Sequence, residues 1–372
     1  MKDVHQVRID RVREAMQLKE LDAFLVLIAE NRRYLSGFTG EDTQFDESAG
    51  ALLITAEKLL LATDSRFELQ ARQEAPDYET IIYREGLAKE LPIILKGYQT
   101  RRLGFESIRV SRAQHRKMIT ALKDAHLAVE LADTEDIVET LRVEKTQPEI
   151  GAIRNALGLA ESVFGQVAAD IRPGMTEKEA AWSLEKALRE AGADGLSFPA
   201  IVASGPNSAL PHAIPGDRPL RSDEPILFDW GIRLEGYCSD ISRTLVMGEP
   251  DTTFQKVFQT VREAQEMAIE AIKPGIGTKA VDEIARRHIE KMGFKDCFGH
   301  GLGHGVGLAI HEQPRLSPLG DKKLAAGMVC TVEPGIYLPG WGGVRLENMI
   351  VVTADGVDVL NRTTVDEVRL GV

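Results

Sequence analysis

Two stretches of this chain share a pattern that few folds can use twice. Ile171–Gly192 (IRPGMTEKEAAWSLEKALREAG) aligns without gaps with Ile272–Gly293 (IKPGIGTKAVDEIARRHIEKMG). Each opens on an I-basic-P-G turn and closes on glycine. Each has a threonine suited to N-cap its helix, Thr176 and Thr278, and Thr176 with Glu179 spells a capping box. Gly192 and Gly293 suit the left-handed residue after a last helical turn. Shared helix punctuation alone would produce such a match, so the segment downstream of each copy decides its meaning. After the first comes EPILFDWGIRLEGYCSDISRTLVM, and after the second AGMVCTVEPGIYLPGWGGVRLENMIVV. Both read as apolar strands joined by glycine-bearing turns. A duplicated half-domain that folds into one pseudo-symmetric unit is the expected result.

Four acids interrupt these strands. Asp229 and Asp240 are equidistant from a turn at Leu234-Glu235, and Glu333 and Glu347 from Gly340. Simple hairpins would set each pair opposite one another, roughly 5 Å apart. Like charges facing across a sheet destabilise it, and buried carboxylates must be paired or bind metal. Among the arginines of these hairpins, Arg233, Arg243 and Arg345, only Arg345 lies within two residues of one of these four acids. One guanidinium cannot neutralise four carboxylates, whereas two divalent cations can. Hard oxygen ligands with one imidazole suit Mn, Co, Fe or Zn.

The imidazole is expected from GHGLGHGVGLAIHE, Gly299–Glu312. His300 and His304 have the spacing of two ligands on a helix. Five glycines in nine positions make a helix there untenable, at roughly 1 kcal/mol each relative to alanine. Read as a strand, period two puts His300, Leu302, His304 and Val306 on one face and only glycine on the other. A bare glycine face lets another backbone approach. His311 joins the same site only if a bend or bulge lies between Gly307 and His311. A phosphate cradle is the weaker reading, because there is no G-K-[ST] and no acidic partner placed as in a dinucleotide fingerprint.

The first third alternates apolar runs with helical patterns. Strands are expected at 23–28, 51–55, 58–63, 79–84, 102–106 and 127–131, and helices at 67–74, 87–96 and 112–124. That is an α/β domain with a mixed sheet. Charge and a proline near Glu144–Pro148 predict a boundary, giving domains 1–143 and 144–372. With 372 residues and 43% hydrophobic content the chain can build two cores. A net charge of −12 disfavours nucleic acid or an anionic membrane as partner. The N-terminus lacks an apolar h-region, and three cysteines suit a reducing cytoplasm.

The stretches FDWGIRLEGYCSDISRT, GHGLGHGVGLAIHE, TVEPGIY and GVRLEN together resemble the motifs of the proline-specific metallopeptidases, aminopeptidase P and prolidase. SGFTG (Ser36–Gly40) and ATDSRF (Ala62–Phe67) resemble the creatinase/prolidase N-terminal domain. The resemblance covers the whole chain. It implies an α/β (α+β) protein whose C-terminal domain has the pita-bread fold. It also implies that Asp229 binds one metal, that Asp240 and Glu347 bridge two, and that His304 and Glu333 bind the second. Mn is the first choice of ion, with Co or Zn as alternatives. His212 would stand near the scissile bond, and His311 would hold the substrate carbonyl. His300, Tyr337 and Arg345 would support the ligands, and Glu333 would also shuttle protons. The substrate would be a peptide with proline second, and the assembly a homodimer. The loop Glu41–Ser48 (EDTQFDES) is longer than the resemblance leads one to expect. Xaa-Pro aminopeptidase activity is the reading adopted, with Xaa-Pro dipeptidase as the alternative. A methionine aminopeptidase would lack this N-terminal domain, and a creatinase or a non-catalytic peptide-binding module would lack ligands that are all kept here.

Overall fold

The computed structural model describes residues 4–42, 44 and 47–363, and the backbone of Arg369–Leu370. Thr43, Phe45 and Asp46 of the long loop therefore lie outside the described residues. The chain divides into two units, Met1–Leu141 and Arg142–Val372.

The first unit runs α1 (Val4–Leu18), β1 (Ala23–Val26), α2 (Ala29–Ser36), β2 (Ala51–Thr55), β3 (Leu59–Thr63), α3 (Glu68–Glu74) and β4 (Glu79–Ile82). It continues with α4 (Leu87–Leu95), β5 (Arg102–Glu106), α5 (Arg112–Asp124) and β6 (Glu130–Thr134), with α6 (Ile137–Arg142) at its end. The sheet is mixed, in the order β4-β3-β2-β1-β5-β6. The last strand begins three residues later than the apolar run suggests. His126 takes a left-handed φ of 54°, and the Leu127 N–H turns back to the Leu122 carbonyl at 3.0 Å. That Schellman closure of α5 consumes Leu127, so pairing with β5 starts at Glu130.

In the second unit the helix–helix–strand order occurs twice. The first half has α7 (Gln147–Ala168), α8 (Glu177–Glu190), β7 (Gly195–Leu196), β8 (Ile201–Ser204), β9 (Ile226–Trp230), β10 (Ile232–Leu234), β11 (Tyr237–Cys238) and β12 (Ile241–Met247). The second has α9 (Thr252–Ala271), α10 (Thr278–Lys291), β13 (Gly303–Gly305), β14 (Glu312–Leu316), β15 (Val329–Val332), β16 (Gly335–Leu338), β17 (Gly342–Arg345), β18 (Asn348–Val352) and β19 (Val357–Val359). A short β20 (Arg369–Leu370) pairs with β12. Two apolar cores fill the unit, and each draws residues from both halves, Val306 and Met349 joining the first and Val246 the second. Ile153, Leu157, Leu184 and Phe228 belong to one, and Val257, Val261, Val281 and Ile350 to the other.

The caps of α8 and α10 match at one end only. Gly192 and Gly293 both turn left-handed, at φ 101° and 96°. At the N-termini, Thr176 forms the capping box, but Thr278 does not cap α10. Gly277 holds that position, and the Thr278 hydroxyl bonds instead to the Lys322 carbonyl, at 3.1 Å. The one-residue difference between IRPGMT and IKPGIGT moves the threonine past the cap.

Candidate metal centre

The first carboxylate hairpin is offset from the simple expectation. Its two-residue turn is Glu235-Gly236, with φ of 50° and 82°, not Leu234-Glu235. Two successive positive φ values match the right-handed twist of the flanking strands. The shift puts Asp229 opposite Ser242 rather than Asp240. Asp240 is thus two positions from that pair, on the same face and diagonal to Asp229. The second hairpin keeps the expected register. Val332 pairs with Asn348 and Gly335 with Arg345, so Glu333 and Glu347 occupy matching positions between the two ladders.

The glycine-rich stretch forms only a three-residue strand, β13. Period two does not extend beyond it, because Leu302 and Val306 enter the two apolar cores instead of sharing a face with the histidines. The glycines do admit neighbouring backbone. A Cβ on Gly303 would lie 2.0 Å from the Thr331 carbonyl oxygen, and one on Gly305 would lie 2.1 Å from that of Gln313. The chain bends through Gly307–His311, which brings the His311 ring within 4.4 Å of the His304 ring. Glu312, directly after it, anchors the bend. Its buried carboxylate meets Arg142 and, at 3.1 Å, Lys145, and accepts the Ala309 N–H at 3.0 Å.

His212, Asp229, Asp240, His300, His304, His311, Glu333, Arg345 and Glu347 all line one cleft of about 550 Å³. Tyr337 stands behind it, buried. His212 and His311 are exposed at the opening. Asp240, His304 and Glu347 bring ligand atoms within 4.8 Å of one another. Glu333 Oε1 is 3.3 Å from His304 Nε2, and Asp240 Oδ2 is 3.5 Å from the same nitrogen. Asp229 is turned partly away, with Oδ2 paired to Arg345.

Arg345 organises the floor. It donates to Asp229, to the Ser242 hydroxyl at 2.7 Å, to the Pro211 carbonyl at 3.0 Å and to Tyr337 Oη at 2.9 Å. Tyr337 Oη lies 2.8 Å from His300 Nε2, and His300 Nδ1 lies 2.8 Å from the Gly301 carbonyl. A carbonyl only accepts, so Nδ1 carries the proton and Nε2 accepts from the tyrosine. Burial, aided by the Arg345 charge, lowers the His300 pKa to about 4, which keeps the ring in that neutral form. The Ser242 hydroxyl donates to Glu347 Oε2 at 2.9 Å. Thr331 donates to Glu333 Oε1 at 3.1 Å and accepts the His304 N–H, also at 3.1 Å. Neither Ser242 nor Thr331 is marked by the sequence pattern. The Glu-Gly turn was the available signal for Ser242, because the correct turn sets it opposite Asp229.

The electrostatics call for a cation. Burial first, then the charges of Glu347, Asp229 and Glu333, push the Asp240 carboxyl well above its ordinary range. Burial and the Glu333 and Asp229 charges do the same for Glu347. Burial raises Glu333 to about 7, and for Asp229 it outweighs the adjoining Arg345. Burial, with the neighbouring His311, lowers His304 to about 3. Its Nδ1 donates to the Gly305 carbonyl at 3.1 Å, so the Nε2 lone pair faces two carboxylates. Among the described residues, Asp229 Oδ1 and Glu347 Oε1 are buried without a hydrogen-bond partner. A lone pair facing carboxylates, and carboxylate oxygens with no donor, are what divalent ions would satisfy. The residues fit that group.

Residues 151–354 match metallopeptidase family M24, and residues 8–143 match the creatinase/prolidase N-terminal domain. The chain is 36% identical over 357 residues to the peptidase YqhT of Bacillus subtilis, covering 96% of this chain and 97% of that one. Among solved structures it resembles an Xaa-Pro dipeptidase from Bacillus anthracis, with TM-score 0.91, 35% identity and coverage of 98% and 100%. It also resembles an X-Pro aminopeptidase from Thermotoga maritima, with TM-score 0.84, 36% identity and coverage of 94% and 98%. Among the described residues no helix is long and apolar enough to cross a membrane. The chain belongs to metallopeptidase family M24, as an Xaa-Pro metallopeptidase of the aminopeptidase P or prolidase type with the pita-bread fold.

Proposed function

We propose that this enzyme removes the N-terminal residue from peptides with proline second, with two divalent ions, Mn²⁺ first among them, held by Asp229, Asp240, His304, Glu333 and Glu347. The observation that carries this is the gathering of three buried carboxylates, Asp229, Asp240 and Glu347, and the half-buried Glu333 in a cleft with one guanidinium, with a neutral imidazole lone pair aimed among them. Such ions supply Lewis acidity and make a nucleophilic water acidic enough to ionise near neutral pH. Arg345 holds Asp229 and the backbone next to His212, so the two sides of the cleft keep their spacing. Glu333, oriented by Thr331, takes the proton of the attacking water and passes it to the leaving proline nitrogen. His311 donates to the carbonyl oxygen as charge develops there, and His212 stands beside the scissile bond. His300 and Tyr337 keep Arg345 in place.

A dipeptidase preference is the second reading. Arg315 and Lys322 line the same cleft and offer cations for the terminal carboxylate of a dipeptide. Hydrolysis of Xaa-Pro and of Xaa-Pro-Yaa-Zaa, compared under added Mn²⁺, Co²⁺ and Zn²⁺, separates the two readings. Cleavage of neither would refute both. Asp240→Ala is expected to abolish turnover and metal binding, and full activity in the metal-reconstituted variant would overturn the ligand assignment. A homodimer in the cytoplasm completes the proposal, and light scattering tests its oligomeric part.

A further inference from the structure

The two glutamate-bearing strands keep one register past the ligands but lose a ladder hydrogen bond beside them, at Pro334. Glu333 and Glu347 face one another as a non-hydrogen-bonded pair, so their N–H groups point outward to the strands on either side. The Glu333 N–H goes to the Leu302 carbonyl at 2.8 Å, and the Glu347 N–H to the Ser242 carbonyl at 3.1 Å. Each ligand is thereby tied to a different neighbour, one to the His304 segment and the other to the Asp240 hairpin. Just beyond, the Leu346 N–H reaches the Pro334 carbonyl at 3.4 Å. Proline has no N–H to return that bond, so the Leu346 carbonyl needs another donor.

Gln265, in the middle of α9 and 1% exposed, is that donor. Its Nε2 lies 2.9 Å from the Leu346 carbonyl and 2.9 Å from the Val332 carbonyl. These residues directly precede Glu347 and Glu333. One amide therefore spans both strands and supplies the bond that Pro334 cannot donate. The corresponding place in the first half is Phe164 on α7, at the same offset that separates Ile171 from Ile272. Its ring lies 4.1 Å from Trp230 and 5.2 Å from Phe228, the residues flanking Asp229. Each half thus supports its carboxylate strands from the same position of its first helix, once by stacking and once by a polar clamp.

We infer that Gln265 is a positioning residue for the metal centre, fixing the separation of Glu333 and Glu347 by holding the carbonyls before them. This rests on the ligand assignment proposed above. A glutamine that only satisfied two carbonyls would change stability when replaced. One that sets ligand spacing must also change metal affinity, because the unclamped strands have to be drawn together as the ion binds.

The experiment titrates Mn²⁺ alone into the metal-free full chain by calorimetry, for wild type, Gln265→Met, Gln265→Glu and, as control, Gln259→Met on the exposed face of the same helix. Q265M keeps the length and removes the donor. It should bind Mn²⁺ about 10–100-fold more weakly, the usual cost of losing an outer partner of a ligand. Its far-UV circular dichroism without metal should be unchanged. Saturating Mn²⁺ should restore kcat, with the half-saturating concentration raised by the same factor. Q265E, whose acid offers one O–H at most, should fall between, and Q259M should match wild type. Wild-type affinity in Q265M overturns the inference. If Q265M does not fold, Q265E decides: weakened binding supports the clamp, and wild-type affinity refutes it. Failure of the wild type itself to bind Mn²⁺ overturns the ligand assignment and the inference together, and is distinguished by occurring without any mutation.

Discussion

Arg345→Met tests the idea that one guanidinium carries the polar floor of the cleft. Arg345 is 3% exposed and serves Asp229, Ser242, Pro211 and Tyr337 at once. Although burial opposes its charge, Tyr337, Asp229 and Glu333 hold it protonated well above the usual arginine range. Methionine fills much of the volume but leaves Asp229 buried without its cation. Breaking a buried pair from one side costs about 3–5 kcal/mol. With a urea m-value of about 3 kcal/mol per molar, the unfolding midpoint of the catalytic unit should fall by roughly 1–1.7 M in metal-free protein. Neutralising the partner should remove most of this, so Arg345→Met in an Asp229→Asn background should cost at least about 2 kcal/mol less. Arg345→Lys keeps the charge but not the planar fork, and should land between wild type and methionine. Urea titrations of the four members of the cycle, with chelator present, give the coupling. A midpoint shift under about 0.3 M for the single variant, near 1 kcal/mol at that slope, would refute the reasoning. So would a coupling indistinguishable from zero.

Gly303→Ala should displace His304 or unfold the second half, because its Cβ would lie 2.0 Å from the Thr331 carbonyl oxygen. Calorimetric Mn²⁺ titration and thermal melting report either outcome, and normal values in both would contradict the close approach. Glu312→Gln should weaken the hold of Arg142 and Lys145 on the His311 bend and cost about 3 kcal/mol of stability, with metal stoichiometry retained. Unchanged urea midpoints would argue against that anchor. In the N-terminal unit, burial raises buried Glu106 to about 7 from its ordinary value of 4.5, despite the Ile28 N–H, Asn31 amide and Leu27 N–H it accepts. A carboxyl raised on folding contributes stability fully below the unfolded value and loses it as pH climbs through the folded one. The wild type should therefore lose about 3 kcal/mol between pH 4.5 and 8 relative to Glu106→Gln, which has no proton to release. Parallel pH profiles for the two proteins would show that Glu106 does not titrate in this range.

Much of the architecture was legible because it follows from local chemistry. Capping residues, αL glycines and apolar runs specify elements within a few neighbours, and α5 and β5 begin and end where the pattern says. The duplication was legible for the same reason, since both halves reuse one helix stop. The carboxylates announced a cation because no local base balanced them. What the sequence could not settle was pairing. A hairpin register depends on which two residues accept positive φ, and choosing Leu234-Glu235 over Glu235-Gly236 moved Ser242 out of the site and Asp229 into false opposition with Asp240. Capping fell to Gly277 rather than Thr278 because the carbonyl that claims the threonine, that of Lys322, is 44 residues away. Gln265 and Glu312 were invisible for a related reason. A buried glutamine on an amphipathic helix or a glutamate after a histidine has no local mark, and each gains meaning only from partners that tertiary packing brings within hydrogen-bond reach. Residue types and their periodicity determined that the chain makes two similar halves rich in buried acid. Only the tertiary structure decided which acids meet, through which nitrogen His304 faces them, and what holds them apart, because those are contacts between strands and helices far apart in the chain.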